Sequence, residues 1–194
     1  MKSREICKSC IWRVWLATAL LGALLFTGIT YAAKSTGLAA ITPGQTLYTQ
    51  FSLYYERNCH LTTNYRRGTL VPINTAVKFV RADFQSIEVT LPNGQNLEIR
   101  NVKKYSGEKI DGIFDRTFAA KSLDLIPFTV EEQKAIQAGE VVVGMRKAAV
   151  LAALGYPPKH KTPSLDLNHW QYWQSRFDTI IVYFNQDRVA QIVD

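Results

Sequence analysis

The stretch Gly144–Pro158 limits the fold more than any other part of this chain. It reads as a short helix with clear punctuation. Alanine and leucine favour helix, and Val150, Leu151 and Leu154 recur at i, i+1, i+4 on one face. Gly155 can adopt the positive φ of a residue just past a helix, and Pro157 and Pro158 forbid continuation. The chain beyond Pro158 carries strand signals. His169–Gln174 contributes Trp170, Tyr172 and Trp173, Thr179–Phe184 is almost wholly apolar, and Asn185-Gln186-Asp187 turns the chain into Arg188–Val193. A three-stranded meander of this kind buries its apolar side only under a cover, which the preceding helices can supply.

Upstream, Thr129-Val130-Glu131-Glu132 has the spacing of a capping box and predicts a helix ending before Gly139. Val141-Val142-Val143 then reads as a short buried segment. Ile110, Ile113, Phe114, Thr117 and Phe118 recur at helical spacing, which predicts a helix over roughly 108–119. The region before it changes period. Leu47–Glu56 suggests a first strand, Arg57–Gly68 a polar loop, and Thr69–Val71, Ala76–Ala82, Ser86–Leu91 and Asn96–Val102 further strands. Ile87, Val89 and Leu91 alternate with polar residues, and Pro92-Asn93-Gly94 is a hairpin turn. Short strands joined by tight turns imply a small barrel or a curled sheet. The expected fold class is α+β: a small β-barrel-like module at 47–104, a helical connector at 105–128, and two helices on a three-stranded antiparallel sheet at 129–194. Residues 33–46, with Pro43-Gly44, read as a linker.

The first 32 residues are a separate matter. Lys2, Arg4, Lys8 and Arg13 precede an uncharged run from Val14 to Ala33, and Thr30-Tyr31-Ala32 is an acceptable small-x-small cleavage site. This is the pattern of a secretory signal, and the run is also long enough for an uncleaved membrane anchor through residues 14–33. Both readings export the remainder. The net charge of +7 falls to +4 beyond residue 32, with no long basic run, so nucleic acid is not implied as a partner. Cys7 and Cys10 form a C-x-x-C inside the leader with no second ligand pair. Beyond it only Cys59 remains, which excludes an internal disulfide after cleavage.

Gly144-Met145, Val150 and Leu151, Leu154-Gly155-x-Pro157, Trp170-x-Tyr172, Ile181-x-x-Phe184 and Val189-x-x-Ile192 occur in an order that resembles the SmpA/OmlA (BamE-like) family. The likeness spans about residues 136–194. It implies two helices on a three-stranded antiparallel sheet, and an envelope protein that acts by contact, with no cofactor and no catalysis. The chain lacks that family's lipid-accepting cysteine and carries an additional β-rich segment. Tyr65–Lys78 is weakly similar to the first strands of bacterial Src-homology-3-like modules.

The candidate contact residues are few. Pro157, Pro158 and Pro163 stiffen the loop that carries Lys159, His160 and Lys161, which makes it either a plain connector or a surface presented to an acidic partner at low ordering cost. Trp170 and Tyr172 share one strand face, so Trp173 points the other way, towards either a partner or the rest of the chain. Arg66 and Arg67, beside Tyr65, suit an anion, or simply face water; Lys103-Lys104 is read in the same way. Cys59-His60 lacks a nucleophile–base–orienter set, since neighbours on a strand point apart. Asp111, Asp115, Asp124 and Asp178 are scattered, and the three histidines lack ligand spacing, so no metal or other cofactor is expected. The functional expectation is a non-enzymatic exported envelope protein, in the periplasm or held at the inner membrane. It would bind an envelope protein in support of envelope assembly and integrity, or a cell-wall polymer such as peptidoglycan.

Overall fold

Alternating burial builds the largest element. Strand β5 (Ala76–Ala82), β6 (Ser86–Thr90) and β7 (Asn96–Arg100) each turn every second residue inwards, so Val77, Phe79, Ile87, Val89, Leu97 and Ile99 are all buried. Each such side chain contributes about 1.5–3 kcal/mol relative to exposure. The computed structural model describes residues 37–194; the predicted signal or anchor lies outside the described residues. The remaining strands are β1 (Thr46–Thr49), β2 (Leu53–Tyr55), β3 (Cys59–Leu61), β4 (Thr69–Val71), β8 (Phe118–Ala119), β9 (His169–Trp173), β10 (Thr179–Asn185) and β11 (Arg188–Val193). The helices are α1 (Lys103–Ser106), α2 (Ile110–Thr117), α3 (Val130–Ala138) and α4 (Lys147–Leu154).

The architecture expected from the sequence is not the one observed. In place of a small barrel followed by two helices on a three-stranded sheet, the described residues are sheet-rich, with eleven strands and four α-helices. A six-stranded curled sheet in the order β3-β7-β6-β5-β1-β8 dominates, with the helices after it. Its edges, β3 and β8, do not pair, so it does not close into a barrel. The physical reason is that two of its pairings are not local. Strand β3 joins β7 in parallel, with Cys59 opposite Glu98 and Leu61 opposite Arg100, and β8 returns from beyond α2 to pair with β1. Helix α2 adds Ile110, Ile113 and Phe114 to the sheet's own core. Hairpin signals carry no trace of such contacts.

Smaller differences have equally plain causes. The run predicted as one strand over Leu47–Glu56 breaks at Gln50–Ser52, where Ser52 N–H donates to the Ala152 carbonyl at 3.1 Å. The predicted 57–68 loop contains β3, opened by a two-residue turn with Arg57 and Asn58 at φ 50° and 62°. Val142 and Val143 are exposed, not buried, because Met145 takes the interior position. In the stretch read as a linker, Ile41 is buried in the first core.

A second core gathers Ile136 of α3, Met145, Val150 and Leu154 of α4, and Trp170, Tyr172 and Val182 of the sheet β11-β10-β9. Ile73 from the β-rich half joins it. Helix α4 buries Ala149, Val150, Ala152, Ala153 and Leu154, while Lys147, Ala148 and Leu151 on its other side are half-buried or exposed. Glu132 orders this core. Thr129 and Glu132 complete the capping box, and the Glu132 carboxylate also accepts from the Arg146 backbone N–H at 2.8 Å and from the Arg146 guanidinium at 2.6 Å.

The two cores meet through single buried polar groups. Ser52 Oγ donates to the Ile136 carbonyl at 2.8 Å and accepts from Ile73 N–H at 3.0 Å. Asn64 Nδ2 donates to the Leu154 carbonyl at 2.6 Å. Arg66 donates to the carbonyl of Gly139, at the end of α3, where a cation also meets the negative end of the helix dipole.

Candidate functional site

The loop after α4 is held at several points. Lys159 N–H donates to the Tyr105 carbonyl at 2.8 Å, tying the loop to α1, and Gln171 N–H donates to Thr162 Oγ1 at 3.0 Å, tying it to β9. Pro157, Pro158 and Thr162 are buried, while Lys159, His160 and Lys161 stay exposed. Gly107, at φ +69°, lets α1 approach closely: a Cβ there would lie 2.7 Å from Lys159 Cδ.

A row of rings runs across this junction. The Tyr105 ring lies tilted on His160 at 4.8 Å, His160 stacks near-parallel on Trp173 at 6.3 Å, and Trp173 meets Tyr65 edge-on at 6.5 Å. Lys104 Nζ sits 5.4 Å over Tyr105. Partial burial lowers the His160 pKa, and the charges of Lys161 and Lys104 lower it further. Among the described residues, Lys103, Lys104, Lys159 and Lys161 have no carboxylate within ion-pair distance. Lys104, Lys159 and Lys161 therefore gather around His160 and α1 without internal neutralisation, a natural match for negative charge.

Of the six residues singled out in the sequence, Lys159, His160, Lys161 and Trp173 come together here. Arg66 is turned inwards. Besides Gly139 it lies 5.2 Å over the Tyr54 ring, and burial lowers its pKa. Its backbone N–H donates to the Trp173 carbonyl at 3.2 Å, and Arg66 Nη1 and Trp173 Nε1 are both buried without a hydrogen-bond partner. Arg67 is exposed and paired with Glu56 at 2.7 Å.

Tyr65 leads from this ridge into a cleft of about 480 Å³ over β3 and β7, lined also by Tyr54, Arg57, Leu61, Glu98 and Arg100. Here most charges are matched, Arg100 holding Glu98 at 2.6 Å and Arg67 holding Glu56, and Arg57 alone lacks a carboxylate partner among the charged residues that line the cleft. Cys59 lines the cleft and burial pushes its thiol up, while His60 points the other way, its Nδ1–H donating to the Tyr54 carbonyl at 2.7 Å. Thiol and imidazole are not brought together. Among the described residues no three His, Cys, Asp or Glu side chains group as a metal site, and no helix is long and apolar enough to cross a membrane.

Sequence reasoning placed the basic loop but not Tyr105, whose ring partners it meets only in space. The cleft leaves no local sequence signal because its floor depends on the parallel β3–β7 pairing. The outward set Glu88, Glu98 and Arg100 was readable as strand alternation, though not as one surface. Comparisons of the chain with protein-family models, with curated proteins and with solved structures gave no match. The SmpA/OmlA likeness thus rests on its sequence motifs alone.

Proposed function

We propose that this chain is a non-enzymatic, exported envelope protein that works by contact, docking an acidic envelope component on the Tyr105–His160–Trp173 ridge. One observation carries the reading: lysines without carboxylate partners lie on and beside a loop tied at both sides, whose His160 sits in a row of rings between Tyr105 of α1 and Trp173 of β9. A pre-ordered loop loses little entropy on binding, and the exposed His160 ring with the half-buried Tyr105 and Trp173 adds contact area beyond charge. The compartment follows from the leader pattern and from no other feature.

The test is crosslinking in cells through a photoreactive residue at position 161, with the same residue at position 188 as control. Recovery of an acidic envelope partner from 161, lost in the Lys104→Ala/Lys159→Ala double variant, supports the reading. Equal yields from both positions, or an unchanged yield in the double variant, overturns it. A second reading, attachment to a cell-wall polymer, is favoured by the cleft that Tyr65 joins to the ridge.

A further inference from the structure

We infer that the cleft over β3 and β7 binds an uncharged stretch of a glycan chain, with Tyr65 and Arg57 as its principal contacts. The inference rests on the second reading of the proposed role, attachment to a cell-wall polymer, and names the ligand class and contacts for the cleft that favours it. The cleft does not end at β7. A second hollow of about 270 Å³ shares Arg57 and Glu98 with it and continues to Arg81, Ser86, Glu88 and Asn96. Together they form a groove across the outer face of three paired strands, β3, β7 and β6.

Its chemistry is unlike that of the ridge. Glu88 and Glu98 face each other directly across β6 and β7, a like-charge pair that would be unfavourable alone. Arg81 holds Glu88 at 2.7 Å and Arg100 holds Glu98 at 2.6 Å, so both pairs are neutral as units. Asn96 Nδ2 also donates to Glu88 at 3.2 Å. The result is a lattice of fixed donors and acceptors with little net charge. Such a surface gives weak long-range attraction to ions, but it offers the paired, planar hydrogen-bonding groups that vicinal hydroxyls and amides require.

Three further features favour a sugar over a polar peptide. Tyr54 and Tyr65 line one end, and a half-buried tyrosine ring offers an apolar face to the C–H side of a pyranose while its hydroxyl stays available. Leu61 and Cys59 add a small apolar floor suited to an acetamido methyl. Arg57 has no carboxylate partner among the described residues, so its guanidinium is available to a ligand where the two hollows meet. Its two-residue turn holds it there in a left-handed conformation.

The experiment is titration of the full chain with chitotetraose, a neutral β1,4-linked N-acetylglucosamine oligomer, followed by calorimetry and tryptophan fluorescence. Saturable binding is expected, weakened by about tenfold in Tyr65→Ala and in Arg57→Asn. Asparagine tolerates the turn conformation, so the second variant keeps the fold while removing the guanidinium. Binding should be nearly independent of salt and unchanged in Lys159→Ala/Lys161→Ala, which separates it from the ridge. Absence of saturable binding, or equal affinity in a folded Arg57→Asn variant, overturns the inference. Loss of binding in the lysine variant alone also overturns it, by moving the contact to the ridge.

Discussion

Two buried side chains, His60 in one half of the described structure and Glu132 in the other, are accommodated in opposite ways. Beside the sheet core, His60 is kept neutral: burial pulls its pKa down to about 4, the nearby Arg116 charge adds to this, and the bond to the Tyr54 carbonyl opposes it. In the helical core, Glu132 is kept charged. Hydrogen bonds from Arg146, together with those from backbone N–H groups, hold its pKa down to about 2 against the opposing effect of burial. His60 is buried without its charge, whereas Glu132 is buried with its charge and surrounded by donors. The lesson is that burial alone does not say which protonation state a fold depends on; the partners decide.

The strongest way to break this contrast is Glu132→Ala, which removes a capping-box member and leaves the Arg146 guanidinium unmatched. A loss of about 3–5 kcal/mol is expected in urea unfolding. A loss below about 1 kcal/mol would show that the pair adds nothing beyond exposed ion pairs. Leu154→Ala tests the same core by its apolar content. Leu154 is fully buried, so about 2–5 kcal/mol is expected from the same titration.

The acid response should then sharpen the comparison. The folded His60 value of about 4 lies below the ordinary 6.5, so its contribution is complete above pH 6.5 and is lost as pH falls towards 4. The difference corresponds to roughly 3 kcal/mol. The folded Glu132 value of about 2 lies below the ordinary 4.5, so its contribution is complete above pH 4.5 and is lost as pH falls through about 2. Melting followed from pH 7 to pH 4 should therefore flatten in His60→Gln and keep its slope in Glu132→Gln. The reverse pattern would show the two assignments exchanged.

The joint between the halves gives a smaller effect. Asn64→Ala leaves the Leu154 carbonyl without its donor and should cost about 1–3 kcal/mol in the same urea titration. The smallest change is expected on the ridge, where Lys161→Ala should shift stability by less than about 0.5 kcal/mol. A larger shift would mean that this lysine supports the fold and does not face a partner.

What the sequence disclosed depends on the range of each interaction. Thr129 and Glu132 announced their capping box because both halves of it lie within three residues. The β6–β7 hairpin was visible in Pro92-Asn93-Gly94 and in the alternation of Ile87 and Val89. The strand character of Cys59–Leu61 was hidden, because its partner lies at residues 98–100 and its flanks are polar. Tyr105 gave no sign of function for a similar reason: its value comes from meeting His160, fifty-five positions away in number and 4.8 Å away in space. Arg66 and Arg67 looked alike in sequence, and only packing turned one inwards and left the other on the surface.

The parallel pairing of β3 with β7 also bears on time. Hairpins such as β6–β7 close short loops and form early, whereas β3 must wait for a long stretch of intervening chain to be ordered. The floor of the cleft is therefore completed after the hairpin beside it, while the ridge, which joins Tyr105 to His160 and Tyr65 to Trp173, closes still longer stretches of chain. A folding chain would gain its groove and its ridge at different moments, and one arrested before β3 pairs with β7 would keep its β6–β7 hairpin while having no groove at all.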